Sequence, residues 1–531
     1  MMPKLLLLGD EAIAQAAIDA GISSVNAYPG TPSTEITEYI QSKSEASEVK
    51  IHCSWASNEK TAMETALGVS YTGKRALVCM KHVGLNVAAD AFINAAMTGV
   101  NGGLVLVAAD DPSMHSSQNE QDSRFYGKFA MIPILEPSNQ QEAYDMTRYA
   151  FELSEQVQLP VMLRITTRLA HSRAGVAQAV SQAQAAIKMP ADARRFILLP
   201  AIARQRYKSL VSQQDTIKAD GMRSGFNSYK TGSDKSVGII ACGLAYNYLS
   251  ESYPQGIPYN VLKITQYPVD KKDIVKLYNE SDSLLVLEEG YPFIEEAIVG
   301  YIDLSKKVEG RLSGVLPFDG ELNPNLVSKA LGFPQVELNV VPSIVANRPP
   351  ALCNGCGHID LYNALNEALK GADARVFADI GCYTLGALPP FSAIHSCVDM
   401  GASITMAKGA ADVGFAPAVA VIGDSTFTHS GMTGLLDAIS DASPVTIIIS
   451  DNSTTAMTGG QRSQATGRLK NICLGLGVAP EHLREFVPLK KNYDEMVAII
   501  KEETAYKGVS VIIATRECIQ TASRKTKAAK Q

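Results

Sequence analysis

No stretch of this 531-residue sequence stays apolar for the roughly 18 residues that a membrane-spanning helix requires. The opening segment MMPKLLLLGDEAIAQ offers four leucines before Gly9 and Asp10, too few for the core of a secretory leader and better suited to a first strand. An excess of one charge sign is lacking too. Against 48 basic side chains stand 54 acidic ones, and a net charge of −6 gives no general pull toward nucleic acid or anionic membrane. A short-period repeat is absent, which excludes a solenoid. Nine cysteines, an odd number without an export signal, point to a reducing cytoplasm, where clustered cysteines bind metal more often than they pair.

What is present reads as globular protein, with 46% hydrophobic and 19% charged residues. The length asks for more than one domain, because single cores stop growing near ~250–300 residues. Short apolar runs ending in polar residues (KRALVCMKH, GGLVLVAADDP, LPVMLRITT) alternate with helical spacing in NEKTAMETALGVSYTG and QEAYDMTRYAFELSEQV. That alternation predicts an α/β chain with largely parallel sheets flanked by helices. Residues 211–236 are polar and glycine-rich and read as a linker or exposed connection, and prolines interrupt NVVPSIVANRPPALCNGCGH. Three domains follow: residues 1–210, a smaller α/β domain at 235–335, and 350–531. The tail SRKTKAAKQ reads as a frayed, basic end.

Two groups of residues carry chemistry. PAVAVIGDS reads as a buried strand running into Gly423-Asp424, and PVTIIISDN as the next strand, running into Asp451-Asn452. Ligands of open parallel sheets gather beyond the carboxyl ends of strands. A carboxylate, an amide oxygen and a nearby carbonyl suit Mg²⁺ with phosphate oxygens, and Gly423 with the helix behind it would let phosphate approach backbone amides. Ordinary turn chemistry explains the same dipeptides equally well. The second group is cysteine: Cys353-x-x-Cys356 in RPPALCNGCGHID, Cys382 in FADIGCYTLGALPP and Cys518 in ATRECIQ. Four thiolates could hold a [4Fe–4S] cluster, a second Cys-x-x-Cys expected of a zinc ribbon is missing, and Cys518 is also readable as a packed thiol.

The stretch from Gly423 to Gln461 resembles the diphosphate–magnesium signature of thiamine-diphosphate enzymes, and its ending TTAMTGGQ resembles the 2-oxoacid:ferredoxin oxidoreductases. The resemblance implies that Asp424 and Asn452 bind Mg²⁺ by side chain and Thr454 by its carbonyl. Ser425 stands where many relatives carry a smaller residue. A thiamine enzyme also needs a carboxylate at the aminopyrimidine, normally from another domain. In SWASNEKTAMETALG, Ser57 or Asn58 can cap a helix, and Glu59 in its first turn matches the family's acid, with Glu64 a weaker candidate. AYPGTPSTEI resembles the motif whose threonine, here Thr31, meets the substrate carboxylate, and QNEQDSRFYGKFA the segment that brings it an arginine, here Arg124. His82 in MKHVGLN falls where a loop after a strand should face the cofactor, though a lone histidine is as often simply packed. By the same resemblance Cys353, Cys356, Cys382 and Cys518 bind the cluster, while Cys473 reads as a buried apolar residue.

The order of parts is similar to that of the large alpha subunit of the indolepyruvate:ferredoxin oxidoreductases. It implies two thiamine-diphosphate-binding-fold domains, for pyrimidine and diphosphate, around a smaller transketolase C-terminal-like domain. The expected activity is oxidative decarboxylation of a 2-oxoacid, an arylpyruvate such as indolepyruvate, to acyl-CoA and CO₂. Coenzyme A is the co-substrate, and electrons leave through the cluster. The family's terminal ferredoxin-like domain, with its two cysteine runs, is missing after CIQTASRKTKAAKQ. Electrons are therefore expected to pass to a separate subunit, ferredoxin or another carrier. A smaller beta/gamma-type subunit in a dimer of heterodimers is the expected partner, with no nucleic acid and no membrane. A non-oxidative decarboxylase, needing no cluster, and a cofactor-binding subunit without turnover are the alternatives.

Overall fold

The computed structural model describes residues 4–192, 194–300, 305–334, 341–346 and 350–528. They form two compact units, residues 1–339 and 340–531. The first unit is built on a seven-stranded sheet in the order Gln266–Tyr267, Ile134–Leu135, Val161–Thr166, Leu104–Asp110, Ala76–Lys81, Ser24–Ala27 and His52–Trp55. All neighbours are parallel except the first pair. The strands Ala76–Lys81, Leu104–Asp110 and Val161–Thr166 are buried at every position, as strands covered by helices on both faces must be. The leucines of KLLLL do form a strand, Lys4–Leu8, but it pairs antiparallel with Arg173–Ala177 outside the main sheet.

The stretch 211–236, expected to be an exposed connection, is ordered structure. It holds the end of helix Pro200–Ser212, helix Gln214–Arg223 and strand Ser228–Lys230. Ile217, Asp220 and Gly221, three and four positions apart, form the buried side of the second helix. A second sheet follows in the order Val308–Glu309, Leu284–Leu287, Asp234–Cys242, Tyr259–Ile264 and Ser228–Lys230, parallel except at its last strand. The chain leaves Tyr259–Ile264 and at once adds Gln266–Tyr267 to the edge of the seven-stranded sheet. One continuous apolar core spans residues of both sheets.

The second unit carries an all-parallel six-stranded sheet in the order Ser396–Cys397, Arg375–Ala378, Ala418–Gly423, Val445–Asp451, Ser510–Thr515 and Leu483–Phe486. Of the proline-rich break at 339–358, residues 339–340 and 347–349 lie outside the described residues. The basic tail departs from expectation. Ile519–Ala528 is a helix, and Arg524 Nη1 donates to the Gly459 carbonyl at 2.5 Å.

The two sheets of the first unit are joined by buried charge. Arg124 is wholly buried and its guanidinium is fully committed. It forks onto Asp122 (Nε at 3.0 Å from both oxygens, Nη2 at 2.5 Å) and reaches Glu288 Oε2 at 3.0 Å. Its Nη2 also donates to the carbonyls of Glu289 and Tyr291 at 3.0 Å each. Arg164 bonds Asp110 at 2.8 Å and Glu136, whose other oxygen accepts the Tyr267 hydroxyl at 2.6 Å. Gly290, at φ +92°, lies so near that a Cβ would stand 2.7 Å from Asp122 Oδ2. The expectation that Arg124 binds a substrate carboxylate is thereby corrected. Every face of its fork already holds a protein oxygen, and no solvent reaches it.

Removing one partner from such a network leaves charge buried and uncompensated, a loss of about 3–5 kcal/mol. Arg124→Met is expected to lower the unfolding free energy of the first unit by that much, read as a fall in its urea midpoint by circular dichroism. An unchanged midpoint would return Arg124 to a ligand-binding role.

Candidate functional site

In the first unit, four neighbouring parallel strands end at one edge, where ligands of such sheets collect. After Ser24–Ala27 the chain turns through Tyr28-Pro29-Gly30-Thr31. The Gly30 amide donates to Thr34 Oγ1 at 2.9 Å, the Ser33 amide donates to the Gly30 carbonyl at 2.8 Å, and Thr31 is left half-buried. After His52–Trp55, Asn58 caps the helix Glu59–Tyr71 by accepting the Thr61 amide at 2.9 Å, so Glu59 is the first residue of its first turn. Glu59 is buried against the next helix, His82–Thr98, where a Cβ on Gly84 would stand 2.5 Å from Glu59 Oε1. That glycine is what lets the carboxylate lie there. Glu64 faces solvent in an ion pair with Lys60, which removes it as a candidate.

Strand Ala76–Lys81 delivers two more side chains to this edge. His82 is buried. Its Nε2 meets the Asn119 carbonyl at 3.2 Å, and its Nδ1 has no hydrogen-bond partner among the described residues. Lys81 was not singled out from the sequence, yet it is the cation beside the Thr31 turn. A Cβ on Gly30 would lie 3.3 Å from the Lys81 Cβ, and Lys81 Nζ donates to the Ser116 carbonyl at 2.8 Å. Burial pushes its ammonium down to about 8, with Asp111 opposing. The available signal was its position as the last, polar residue of a buried run, which a helix then continues.

In the second unit, Gly423 pairs in register with Ser450, so the strand ends that carry Asp424 and Asn452 lie side by side. Asp424 opens a helical segment, Asp424–Thr426, that passes through a π-turn at Phe427–Gly431 into helix Met432–Ser440. Such interruptions of α-helix recur at functional sites. Its carboxylate is buried, and Oδ2 has no partner among the described residues. Burial pushes the acid up to about 7 and Asp451 adds to this, while the Ser463 hydroxyl and the amides of Asn452 and Ser425 work against it. A buried carboxylate with an oxygen to spare fits a bound cation. Asn452 Oδ1 accepts the Thr454 amide at 3.1 Å, and the Thr454 hydroxyl donates to the Gln461 carbonyl at 2.9 Å. Ser425 and Thr455 hydroxyls, 2.9 Å apart, tie the two loops together. The side-chain direction of Gly423 is taken by the Tyr383 ring, 2.7 Å from where a Cβ would be.

Cys353, Cys356, Cys382 and Cys518 all line one cavity of about 250 Å³, and Asn452 lines it too. The thiols influence one another: burial pushes Cys382 up to about 12, with Cys356, Cys518 and Cys353 adding to it. No three of these sulfurs converge to within 4.8 Å. A tetrahedral zinc, with bonds of ~2.3 Å, would need its sulfurs about 4 Å apart, a spacing that no three of them have here. Cys356 Sγ lies 3.0 Å from Nδ1 of buried His358. Arg516, also lining the cavity, is held by Asp360 at 2.9 Å. Cys473 is buried in the apolar core of the unit. Sequence reasoning missed Asp379, just ahead of the Cys382 turn. It accepts the Ser403 hydroxyl at 2.6 Å and the Tyr383 hydroxyl, fixing that turn, and burial raises it to about 6.

The family described as "Pyruvate flavodoxin/ferredoxin oxidoreductase, thiamine diP-bdg" matches residues 15–211, and "Thiamine pyrophosphate enzyme, C-terminal TPP binding domain" matches residues 379–514. The chain is 38% identical to the indolepyruvate oxidoreductase subunit IorA of Archaeoglobus fulgidus, over 97% of this chain and 86% of that one. With the same subunit of Methanothermobacter thermautotrophicus it shares 39% identity over 86% and 76%. Its fold is similar to that of a 2-oxoglutarate:ferredoxin oxidoreductase from Magnetococcus marinus, with a TM-score of 0.50 at 15% identity over 62% of this chain and 65% of the other. Matched at this identity over nearly its whole length, the chain belongs to the indolepyruvate oxidoreductase subunit IorA family.

Proposed function

We propose that this chain is the thiamine-diphosphate-dependent subunit of a 2-oxoacid oxidoreductase. Its substrate is an arylpyruvate such as indolepyruvate, converted with coenzyme A to acyl-CoA and CO₂. A [4Fe–4S] cluster, held by the four cysteines, would supply the one-electron path to ferredoxin or another carrier. The observation that carries the reading is the single cavity ringed by four cysteines and bordered by Asn452, next to the strand end where Asp424 keeps a buried oxygen to spare.

In this reading Asp424 and Asn452 hold Mg²⁺ by their side chains, and Thr454, whose hydroxyl is already donated, offers its carbonyl. Gly423 and Ser425 border the diphosphate. When bound, the cofactor supplies the electron sink that makes loss of CO₂ possible. Glu59, buried at the start of its helix, shares a proton with the aminopyrimidine. Thr31 donates its hydroxyl to the substrate carboxylate, and Lys81 beside it provides the positive charge that Arg124 cannot. His82 offers its Nδ1 at the same edge. Cys353, Cys356, Cys382 and Cys518 hold the cluster, with Arg516 offsetting its negative charge. A smaller beta/gamma-type subunit, in a dimer of heterodimers, completes the enzyme. Among the described residues no helix is long and apolar enough to cross a membrane, and a cytoplasmic enzyme is the corresponding proposal.

The test is anaerobic purification with the small subunit, followed by iron and thiamine analysis and acceptor reduction with a panel of 2-oxoacids. Cys356→Ala is expected to lose iron and acceptor reduction while keeping thiamine diphosphate, and an iron-free yet fully active protein would overturn the cluster. Glu59→Gln is expected to lower turnover about 10²–10⁴-fold with both cofactors retained. Lys81→Met should raise KM for the 2-oxoacid by about 10- to 100-fold, the worth of one hydrogen bond to a charged group. A KM unmoved by that change would mean the substrate carboxylate lies elsewhere.

A further inference from the structure

Away from the residues assigned above, Asp10, Glu35 and His171 point one ligand atom each into a common space, all within 4.8 Å of one another. They come from three elements that are distant in sequence: the first turn of helix Gly9–Asp19, the first turn of helix Thr34–Glu45, and the end of helix Thr167–His171. The meeting is built into the backbone. A Cβ on Gly9 would lie 2.2 Å from the Leu169 carbonyl oxygen and 3.2 Å from the Ala170 Cα, so only glycine lets the first helix approach the third closely enough. The Gly9 amide then donates to the Ser172 carbonyl at 3.2 Å.

The group is incomplete as it stands. Asp10 is wholly buried, and neither of its carboxylate oxygens has a hydrogen-bond partner among the described residues. The Glu35 Oε2 atom is likewise buried and unpartnered, while Glu35 Oε1 lies 3.7 Å from His171 Nε2. Two carboxylates converging in a desolvated space repel each other, and Asp10 responds by rising well above the usual carboxylate range, through burial first and Glu35 second. The helix N-terminus eases the charge of Asp10, but no amide donates to its oxygens among the described residues. Glu35 and His171 are each about two-fifths exposed, which gives an ion a path from solvent to the buried acid.

We propose that Asp10, Glu35 and His171 form a binding site for a divalent transition cation. Two carboxylate oxygens and one imidazole suit Zn²⁺, Mn²⁺ or Fe²⁺; Mg²⁺ and Ca²⁺ favour all-oxygen shells. The ion ties together three helix ends. One of them, the start of helix Thr34–Glu45, follows the turn that carries Thr31, so the ion is a fastener for that turn rather than a participant in the reaction.

The experiment uses the full chain stripped with chelator, dialysed against buffered Zn²⁺ alone, and counted by atomic emission. Wild type is compared with Asp10→Asn and His171→Gln. The cysteine cavity and Asp424 are unaltered in all three, so their zinc cancels in the difference. Wild type is expected to hold one more zinc per chain than either variant, and Zn²⁺ is expected to raise the thermal unfolding midpoint of wild type more than that of the variants. Equal zinc in all three proteins would overturn the site. So would an Asp10→Asn protein that is stabilised without any difference in zinc, because the two acids would then be sharing a proton. If Asp10→Asn does not fold, His171→Gln, altered at a half-exposed ring, decides alone by the same count.

Discussion

Two guanidinium groups and four carboxylates without access to water hold the first unit in register. Desolvation makes each of Asp110, Asp122, Glu136 and Glu288 expensive alone, and Arg124 and Arg164 compensate them together. The consequences reach the sheet edge. Asp110 takes both the amide and the hydroxyl of Ser123, and Asp111 takes the Ser116 amide at 2.8 Å and the Thr167 hydroxyl at 2.8 Å. The loop between these anchors supplies the carbonyls of Ser116 and Asn119, against which Lys81 and His82 rest. An arginine that looked like a substrate ligand thus acts two steps away, by fixing the segment that positions the cation which can serve.

In the second unit a single aromatic ring plays the corresponding part. Tyr383 fills the space that side chains on Gly381 and Gly423 would need, at 2.3 and 2.7 Å, and its hydroxyl is held by Asp379. The turn bearing Cys382 and the strand end bearing Asp424 are therefore both packed against one side chain. Asn452 and the four thiols border the same cavity, so the strand end at Asn452 and the cysteines are near neighbours. A change of Tyr383 would disturb both ends together, whereas a change of a single cysteine would not.

Local grammar made much of this legible. Buried strands announced themselves as unbroken apolar runs, Asn58 and Glu59 as a cap and first turn, and Cys353-x-x-Cys356 as a ligand pair. Asp424 and Asn452 could be paired because strand ends are where polar residues follow apolar ones. What escaped depends on long-range approach. Whether an arginine is exposed at a site or consumed in a core depends on Glu288 and Tyr291, more than 160 positions along the chain. The tail SRKTKAAKQ was read by its charge, yet its Arg524 lines the cysteine cavity. Residues 211–236 were read by their polarity, although Ile217 and Asp220 face inward and settle the helix.

Asp10 and Asp424 show how little of a site is contained in its dipeptide. Both follow a glycine, both sit in the first turn of a helix directly after a strand, and both are buried with at least one oxygen that lacks a donor among the described residues. Their glycines answer to different neighbours, Gly9 to the Leu169 backbone and Gly423 to the Tyr383 ring. Their surroundings differ more. Asp424 is approached by the Ser463 hydroxyl and by amides, donors that leave a hard, oxygen-seeking cation as the fitting complement. Asp10 is approached by a second carboxylate and an imidazole, a set that selects a softer ion. The same two letters therefore specify only a buried carboxylate at a helix start. Which cation completes it is decided by residues that the fold, and not the local sequence, brings within reach.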